Sequence, residues 1–348
     1  MTEQEQPGAI MQREVNEQPE ALARLLDSEL KNIHDVADKI KARNPRFVML
    51  NARGTSDHAA QYFKYLVEIT MGIPVGLSSP SVFTAYDVTP KYDDVVWVSV
   101  SQSGGSPDLV EATEKARSAG ALTIAVTNAT DSPLANASEL NIDVVAGPEK
   151  AVAATKSFTN QLLALYLLGD AWNGGDGSAA QAVPGFAQQV VDAKDATAVA
   201  GRYRFAEKMI TTGRGYAYPI AREGALKLME TTYLAAQPFS SADLMHGPMA
   251  MVDPGHPVVA VVPEGIGGEA IQPVLDRLKE NNADVLVVGD QARAGDAAAF
   301  IPLPQGMPEE ISPIIQIIPL QQLAHDIAVQ RGNNPDAPRG LRKVTETR

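Results

Sequence analysis

The stretch Val95-Val96-Trp97-Val98-Ser99-Val100-Ser101-Gln102-Ser103-Gly104-Gly105-Ser106-Pro107-Asp108 decides the fold. Its first half is apolar and β-branched, the composition of a strand covered on both faces. It stops at a Ser/Gly loop, and Pro107 opens a helical pattern that runs to Ser118. Strand, tight loop and helix in that order make the repeating half-unit of a parallel α/β sheet.

The neighbouring sequence repeats the pattern. Phe47 to Asn51 runs into Ala52-Arg53-Gly54-Thr55-Ser56, and helical spacing follows from Tyr62 to Met71. Leu122 to Thr127 and Leu140 to Val145 read as further strands. Upstream, Leu22, Leu25, Leu26, Leu30, Ile33 and Ile40 recur near the helical period until Asn44-Pro45 ends them, because a residue before proline avoids the helical region. Met1 to Ile10 is expected to fray. Asn173 to Ser178 reads as a linker. A second series begins near residue 195: Met209 to Thr212 leads into Gly213-Arg214-Gly215, Val258 to Val262 into Pro263-Glu264-Gly265, and Val285 to Val288 into Gly289-Asp290.

The two series look like a degenerate repeat. Arg53-Gly54 returns as Arg214-Gly215, Ser78-Ser79 as Ser240-Ser241, and Val100-Ser101-Gln102 as Val262-Pro263-Glu264, at nearly one offset. The expected architecture is α/β, with two tandem doubly wound parallel-sheet domains. A helical arm takes residues 1–45, the first domain 46–172, a linker 173–194, the second domain 195–330 and a tail 331–348. The second copy has lost the loop hydroxyls, so only the first is expected to keep that loop's chemistry.

Composition narrows the chemistry. Of 348 residues, 29 are Lys or Arg and 42 Asp or Glu, for a formal net charge of −13. That balance speaks against a bulk electrostatic grip on nucleic acid or an anionic membrane. There are no cysteines, so disulfides, thiolate catalysis and Cys-ligated metals are excluded within these residues. No apolar run approaches the ~20 residues that span a bilayer, and the start lacks a signal-peptide pattern. The chain is expected to be soluble and cytoplasmic.

Several segments could carry chemistry. Ser101, Gln102, Ser103 and Ser106 offer neutral donors where a strand hands over to a helix, a place that suits an anion. No lysine is present and the spacing is not that of a dinucleotide loop, which favours a phosphate monoester over a triphosphate. The same residues also fit a plain turn with Ser106 as helix cap. Thr55 and Ser56, at the earlier turn, fit capping or the same ligand. Glu223, Lys227 and Glu230 share one helical face, the usual pattern of a solvated salt-bridged surface. His246 lies in a Gly/Pro-rich loop, where histidine serves either acid–base chemistry or packing. His34, His58, His256 and His325 show no ligand spacing, so no metal or other cofactor is assigned. A tail lysine such as Lys343 is normally just solvated.

Together these segments resemble the tandem sugar isomerase (SIS) family, above all the isomerase half of glutamine–fructose-6-phosphate aminotransferases and the free-standing glucosamine-6-phosphate deaminases. The resemblance runs in order through Met11-Gln12-Arg13-Glu14, Glu17-Gln18-Pro19, Gly54-Thr55-Ser56, Ser101-Gln102-Ser103-Gly104 and Ala154-Thr155-Lys156-Ser157-Phe158-Thr159. It continues through Gly213-Arg214-Gly215, Glu223-Gly224-Ala225-Leu226-Lys227, His246-Gly247-Pro248, Pro319-Leu320-Gln321 and Pro338-Arg339.

The resemblance implies roles. Ser101, Gln102, Ser103 and Ser106 match the sugar-phosphate loop. Thr55 and Ser56 match residues beside the sugar, and Val152 and Ala154 match positions lining its hydroxyls. Glu230 matches the carboxylate that moves a proton between C1 and C2. His246 matches the histidine that opens the ring, reaching in from the neighbouring subunit of a homodimer. Lys343 matches the tail lysine that forms a Schiff base with a ketose, and Lys227 a lysine near the reacting carbons.

The implied activity is isomerising deamination of glucosamine 6-phosphate. A deglycase or isomerase of another amino-linked sugar phosphate, and a non-catalytic sugar-phosphate-binding regulator, are the alternatives. Glutamine-driven synthesis is expected to be absent, since only a short segment precedes the resemblance and the thiol nucleophile of that reaction is missing. Ala154 stands where the synthase has serine, Met245 where Lys or Arg is usual, and Gly105-Ser106-Pro107-Asp108 is deaminase-like.

Overall fold

The computed structural model describes residues 6–343, arranged as two compact units. Residues 1–5 and 344–348 lie outside it, and with them half of the stretch expected to fray and the last part of the tail; Ala9 and Ile10, also expected to fray, instead open a helix, where the Ile10 amide donates to Asp336 Oδ2 at 3.2 Å.

One unit holds residues 20–149 and 156–182, with Arg342 and Lys343. Most of α2 (Gln18–Arg43) belongs to it and is followed by β1 (Phe47–Ala52), α3 (Gly54–Met71), β2 (Val75–Leu77), α4 (Ser81–Thr84), β3 (Val95–Ser101) and α5 (Pro107–Ser118). Next come β4 (Leu122–Thr127), α6 (Pro133–Ala137), β5 (Leu140–Asp143) and α7 (Lys156–Trp172). The strands form one parallel sheet in the order β2-β1-β3-β4-β5. Every residue of β3 is buried, as a strand covered on both faces requires. Trp97 packs edge-on to Phe83, ring centroids 5.6 Å apart, over Ala112 and Ala116 of α5.

The other unit holds α1 (Ala9–Asn16), residues 150–155 and everything from Val183 to Leu341. Its elements are α8 (Val183–Ala193), α9 (Asp195–Ala200), β6 (Lys208–Gly213), α10 (Ala217–Thr232), β7 (Ala235–Ser240), α11 (Ser241–Met245) and β8 (Pro257–Val262). They continue with α12 (Ile266–Ala270), α13 (Gln272–Glu280), β9 (Asp284–Gly289), α14 (Gln291–Ala294), β10 (Ala299–Pro302) and α15 (Ser312–Gln330). The sheet order is β10-β9-β8-β6-β7, the first sheet repeated strand for strand. Val258, Ala260, Val285 and Val287 pack against Ile271, Val274 and Leu278 to make its core.

Two expected segments differ. The arm is not one helix: α1 ends at Asn16 and α2 begins at Gln18, because Pro19 has no amide hydrogen to continue the first helix. The stretch 173–194, expected as linker, contains α8, whose Val183, Ala187, Val190 and Val191 are buried. Pro184-Gly185 hides it in the sequence, yet proline at the first turn of a helix costs nothing. No helix among the described residues is long and apolar enough to cross a membrane.

Candidate functional site

In the first sheet, β1 and β3 are neighbours from which the chain winds outward in opposite directions, so their carboxyl ends form a topological switch point. The Ser101–Ser106 loop sits there. Ser101 Oγ accepts a hydrogen bond from Gly104 N at 3.1 Å, and Ser103 Oγ one from Gly105 N at 3.3 Å. The Gln102 carbonyl accepts from Asn128 N at 3.3 Å, which ties the loop to the end of β4. Gly104 is obligatory: its φ is +62°, and a Cβ there would fall 2.1 Å from Ser132 Oγ. Ser106 occupies the N-cap of α5, but its hydroxyl makes no capping bond. The plain-cap account therefore leaves that hydroxyl unexplained.

Beneath the loop, Asn51 Nδ2 donates to Ser99 Oγ at 3.1 Å and to the Leu109 carbonyl at 3.1 Å, and Trp97 Nε1 donates to Ser99 Oγ at 3.0 Å. This buried network fixes β1, β3 and α5 relative to one another. Thr55 and Ser56 lie inside the first turn of α3, whose N-cap is Arg53, so neither is the cap. Buried Ser56 instead accepts a hydrogen bond from Gln161 Nε2 at 3.1 Å. Lys343 is not a plainly solvated tail lysine: its Nζ lies 2.9 Å from Glu149 Oε2, a buried carboxylate that also accepts from Ser157 N and Oγ.

The matching edge of the second sheet is different. The Glu309 carboxylate accepts from Ile266 N at 2.8 Å and Gly267 N at 2.9 Å, and Glu264 Oε2 accepts from Gly306 N at 3.0 Å. An anion position at the end of β8 is thus filled by the chain's own carboxylate.

The same unit carries Glu223, Lys227 and Glu230 on α10. Lys227 Nζ is 2.6 Å from Glu230 Oε2 and 3.3 Å from Glu223 Oε1. A solvated face is ruled out: the side chains of Glu223 and Lys227 are 0% exposed, that of Glu230 22%. Burial alone would push the Lys227 ammonium down, but Glu223 and Glu230 together hold it above the ordinary lysine value. The two carboxylates thus favour the ammonium form of Lys227, which holds Glu230 at 2.6 Å.

His246 sits at the C-cap of α11, exposed, in a turn completed by Gly247 at φ +123°. Ser240 caps that helix by accepting from Asp243 N. No hydrogen bond among the described residues links the His246 ring to the α10 trio. Val152 and Ala154 are half-buried in the segment Lys150–Thr155. Glu14 of α1 accepts from Ala151 N at 3.3 Å, the Asp336 carbonyl accepts from Val152 N at 3.2 Å, and the Thr155 carbonyl accepts from Gln321 Nε2 at 3.2 Å. The structure thus gathers the loop serines at one sheet edge and the carboxylate–lysine line on one helix. Sequence reasoning missed Asn51, Glu149 and Asp336, polar residues whose partners are distant in the chain.

Two parallel α/β sheets of one strand order define a duplicated SIS fold. The SIS domain family model matches residues 42–170 and 203–329, and the chain belongs to that family. It is 36% identical over 351 residues to the glutamine–fructose-6-phosphate aminotransferase [isomerizing] of Pyrobaculum aerophilum, covering 96% of this chain and 57% of that protein. The chain therefore spans a little over half the length of the curated relatives it matches. Among solved structures, the C-terminal domain of glucosamine-fructose-6-phosphate aminotransferase from Francisella tularensis superposes with TM-score 0.86 at 28% identity, over 94% of this chain and 98% of that one. A Silicibacter pomeroyi protein assigned as a phosphosugar isomerase gives TM-score 0.82 at 33% identity, over 93% and 99%.

Proposed function

We propose that this protein is an isomerising deaminase that converts glucosamine 6-phosphate and water to fructose 6-phosphate and ammonia. The observation that carries the reading is Glu230: a carboxylate fixed by a buried lysine, open to solvent for 22% of its side chain. After ring opening, Glu230 takes the proton from C2 of the open-chain aldehyde, the electrons move into the C1 carbonyl, and O1 takes up a proton that the amino group gives up by way of solvent on going to the imine, the intermediate being an enolamine. Glu230 returns the proton to C1, leaving an imine at C2. Water adds to that imine and ammonia leaves. One carboxylate suffices for both transfers because it is base in one and acid in the other.

Ser101, Gln102, Ser103 and Ser106 hold the phosphate at the switch point, with Thr55 and Ser56 beside the sugar and Val152 and Ala154 lining its hydroxyls. Lys343, whose Nζ lies 2.9 Å from Glu149, is read as the lysine that forms a Schiff base with the ketose product. No cysteine occurs in these residues, which leaves no thiolate in them to release ammonia from glutamine. His246 opens the ring from the partner subunit of a homodimer. Its exposure, with Met245 44% and Met251 39% exposed nearby in sequence, supports a surface that a second copy covers.

Ammonia release from a panel of phosphorylated amino sugars tests the reading. Release from glucosamine 6-phosphate supports it. Release only from another amino-linked sugar phosphate supports the deglycase or isomerase alternative. Binding without turnover of any member would leave a regulator.

A further inference from the structure

Arg53 is the first residue past β1, and Ser101 is the last of β3. Ala52 pairs with Val100, so Arg53 and Ser101 are the next residues on adjacent strands, which lie about 4.8 Å apart. The Arg53 guanidinium reaches Asp108: Nε lies 3.0 Å from Oδ2. Asp108 is in the first turn of α5 and its side chain is 1% exposed, so this carboxylate is a rigid anchor. The guanidinium is therefore held between two points that flank the Ser101–Ser106 loop in the chain. Its side chain is 49% exposed, and neither Nη group takes part in a hydrogen bond among the described residues. An arginine fastened through Nε presents both Nη groups outward as a fork, the geometry that suits a phosphoryl group.

We propose that Arg53 is a substrate ligand: a guanidinium, positioned by Asp108, that binds the phosphoryl group of the sugar phosphate together with the loop hydroxyls. This rests on reading Ser101–Ser106 as the phosphate loop. It also supplies what the loop sequence lacks, a fixed cation, brought from the neighbouring strand end. Such a site discriminates a dianionic monoester from the unphosphorylated sugar, which hydroxyl donors alone do only weakly. Asp108 is then a positioning residue. The alternative is that Arg53 only neutralises a buried carboxylate.

The experiment uses the full-length protein and calorimetric titration with inorganic phosphate and with glucosamine 6-phosphate. Arg53→Gln should weaken both by roughly 10–100-fold, the loss of charge-assisted hydrogen bonds. Turnover should show KM rising more than kcat falls. Arg53→Gln leaves Asp108 without its cation, so Arg53→Gln with Asp108→Asn is made alongside. The double variant should regain the melting temperature and not the phosphate affinity. If phosphate affinity returns with stability, Arg53 is only the partner of Asp108 and the proposal is overturned. Ser103→Ala with Ser106→Ala separates the layers. If that pair loses phosphate while the Arg53 variants keep it, Arg53 alone is wrong. If all variants bind as wild type, the loop reading falls and takes the proposal with it.

Discussion

Lys227 Nζ lies 2.6 Å from Glu230 Oε2, a fully buried ammonium against a carboxylate that keeps one side to solvent. The pair converts a flexible glutamate into a carboxylate of fixed orientation. Glu230→Gln keeps size and hydrogen bonding but removes the base. Its kcat should fall roughly 10²–10⁴-fold with the fold intact. Exchange of the C2 proton with solvent deuterium, followed by NMR, checks this; wild-type exchange in the variant would remove Glu230 from the mechanism.

Lys227 matters to stability as well as orientation. Lys227→Met removes the buried ammonium 3.3 Å from Glu223, whose side chain is 0% exposed, and should cost about 3–5 kcal/mol in urea unfolding. Adding Glu223→Gln should recover part of that loss without restoring kcat. A single variant as stable as wild type would contradict the buried ion-pair account.

The loop serines should act on binding. Ser103→Ala with Ser106→Ala is expected to raise KM strongly and to weaken calorimetric binding of glucosamine 6-phosphate. Glu309→Gln, at the equivalent edge of the second sheet, should leave that binding unchanged.

A composite site in a homodimer predicts complementation. Inactive Glu230→Gln chains mixed with inactive His246→Asn chains should regain partial activity once subunits exchange, because some heterodimeric sites then carry both intact residues. Complete exchange, verified with tagged chains, and no recovered activity would place His246 within its own chain or outside the reaction.

Stability should also carry a histidine step. His256 is buried; desolvation first, then Lys208, push it below its usual 6.5 against the pull of Asp253. The unfolded chain then binds a proton that the folded chain refuses, so stability is full above about 6.5 and is lost as pH falls. Melting temperatures between pH 7 and 5 should show a shallower slope in His256→Gln than in wild type.

Inner strands such as β3 and β8 were legible because Val95 to Val100 and Val258 to Val262 are β-branched runs ending at glycine or proline turns, a local signal; the edge strands β2, β7 and β10, short or partly exposed, carry no such run and were not. α8 was not, since its Pro184-Gly185 start mimics a loop. The α10 charges show why a site is harder to read than a fold. Glu223, Lys227 and Glu230 have the spacing of any solvated helix face. Burial comes from tertiary packing, to which Gly224 contributes by admitting Leu320, whose Cδ1 lies 2.8 Å from where a Cβ would stand. Arg53 reads as a turn residue until strand register sets it beside Ser101, and Asp108 as a helix-start acid until the two meet.

Glu309 gives the duplication an asymmetry. Where the first sheet ends in open hydroxyls, the second ends in amides already satisfied by a tethered carboxylate, which behaves as a ligand at very high local concentration. An incoming anion there would have to displace a competitor that never diffuses away, and Glu264 would repel it as it approached. On the proposed reading, a chain with two sheets of one design then binds one equivalent of sugar phosphate at these strand ends, half of what its symmetry suggests.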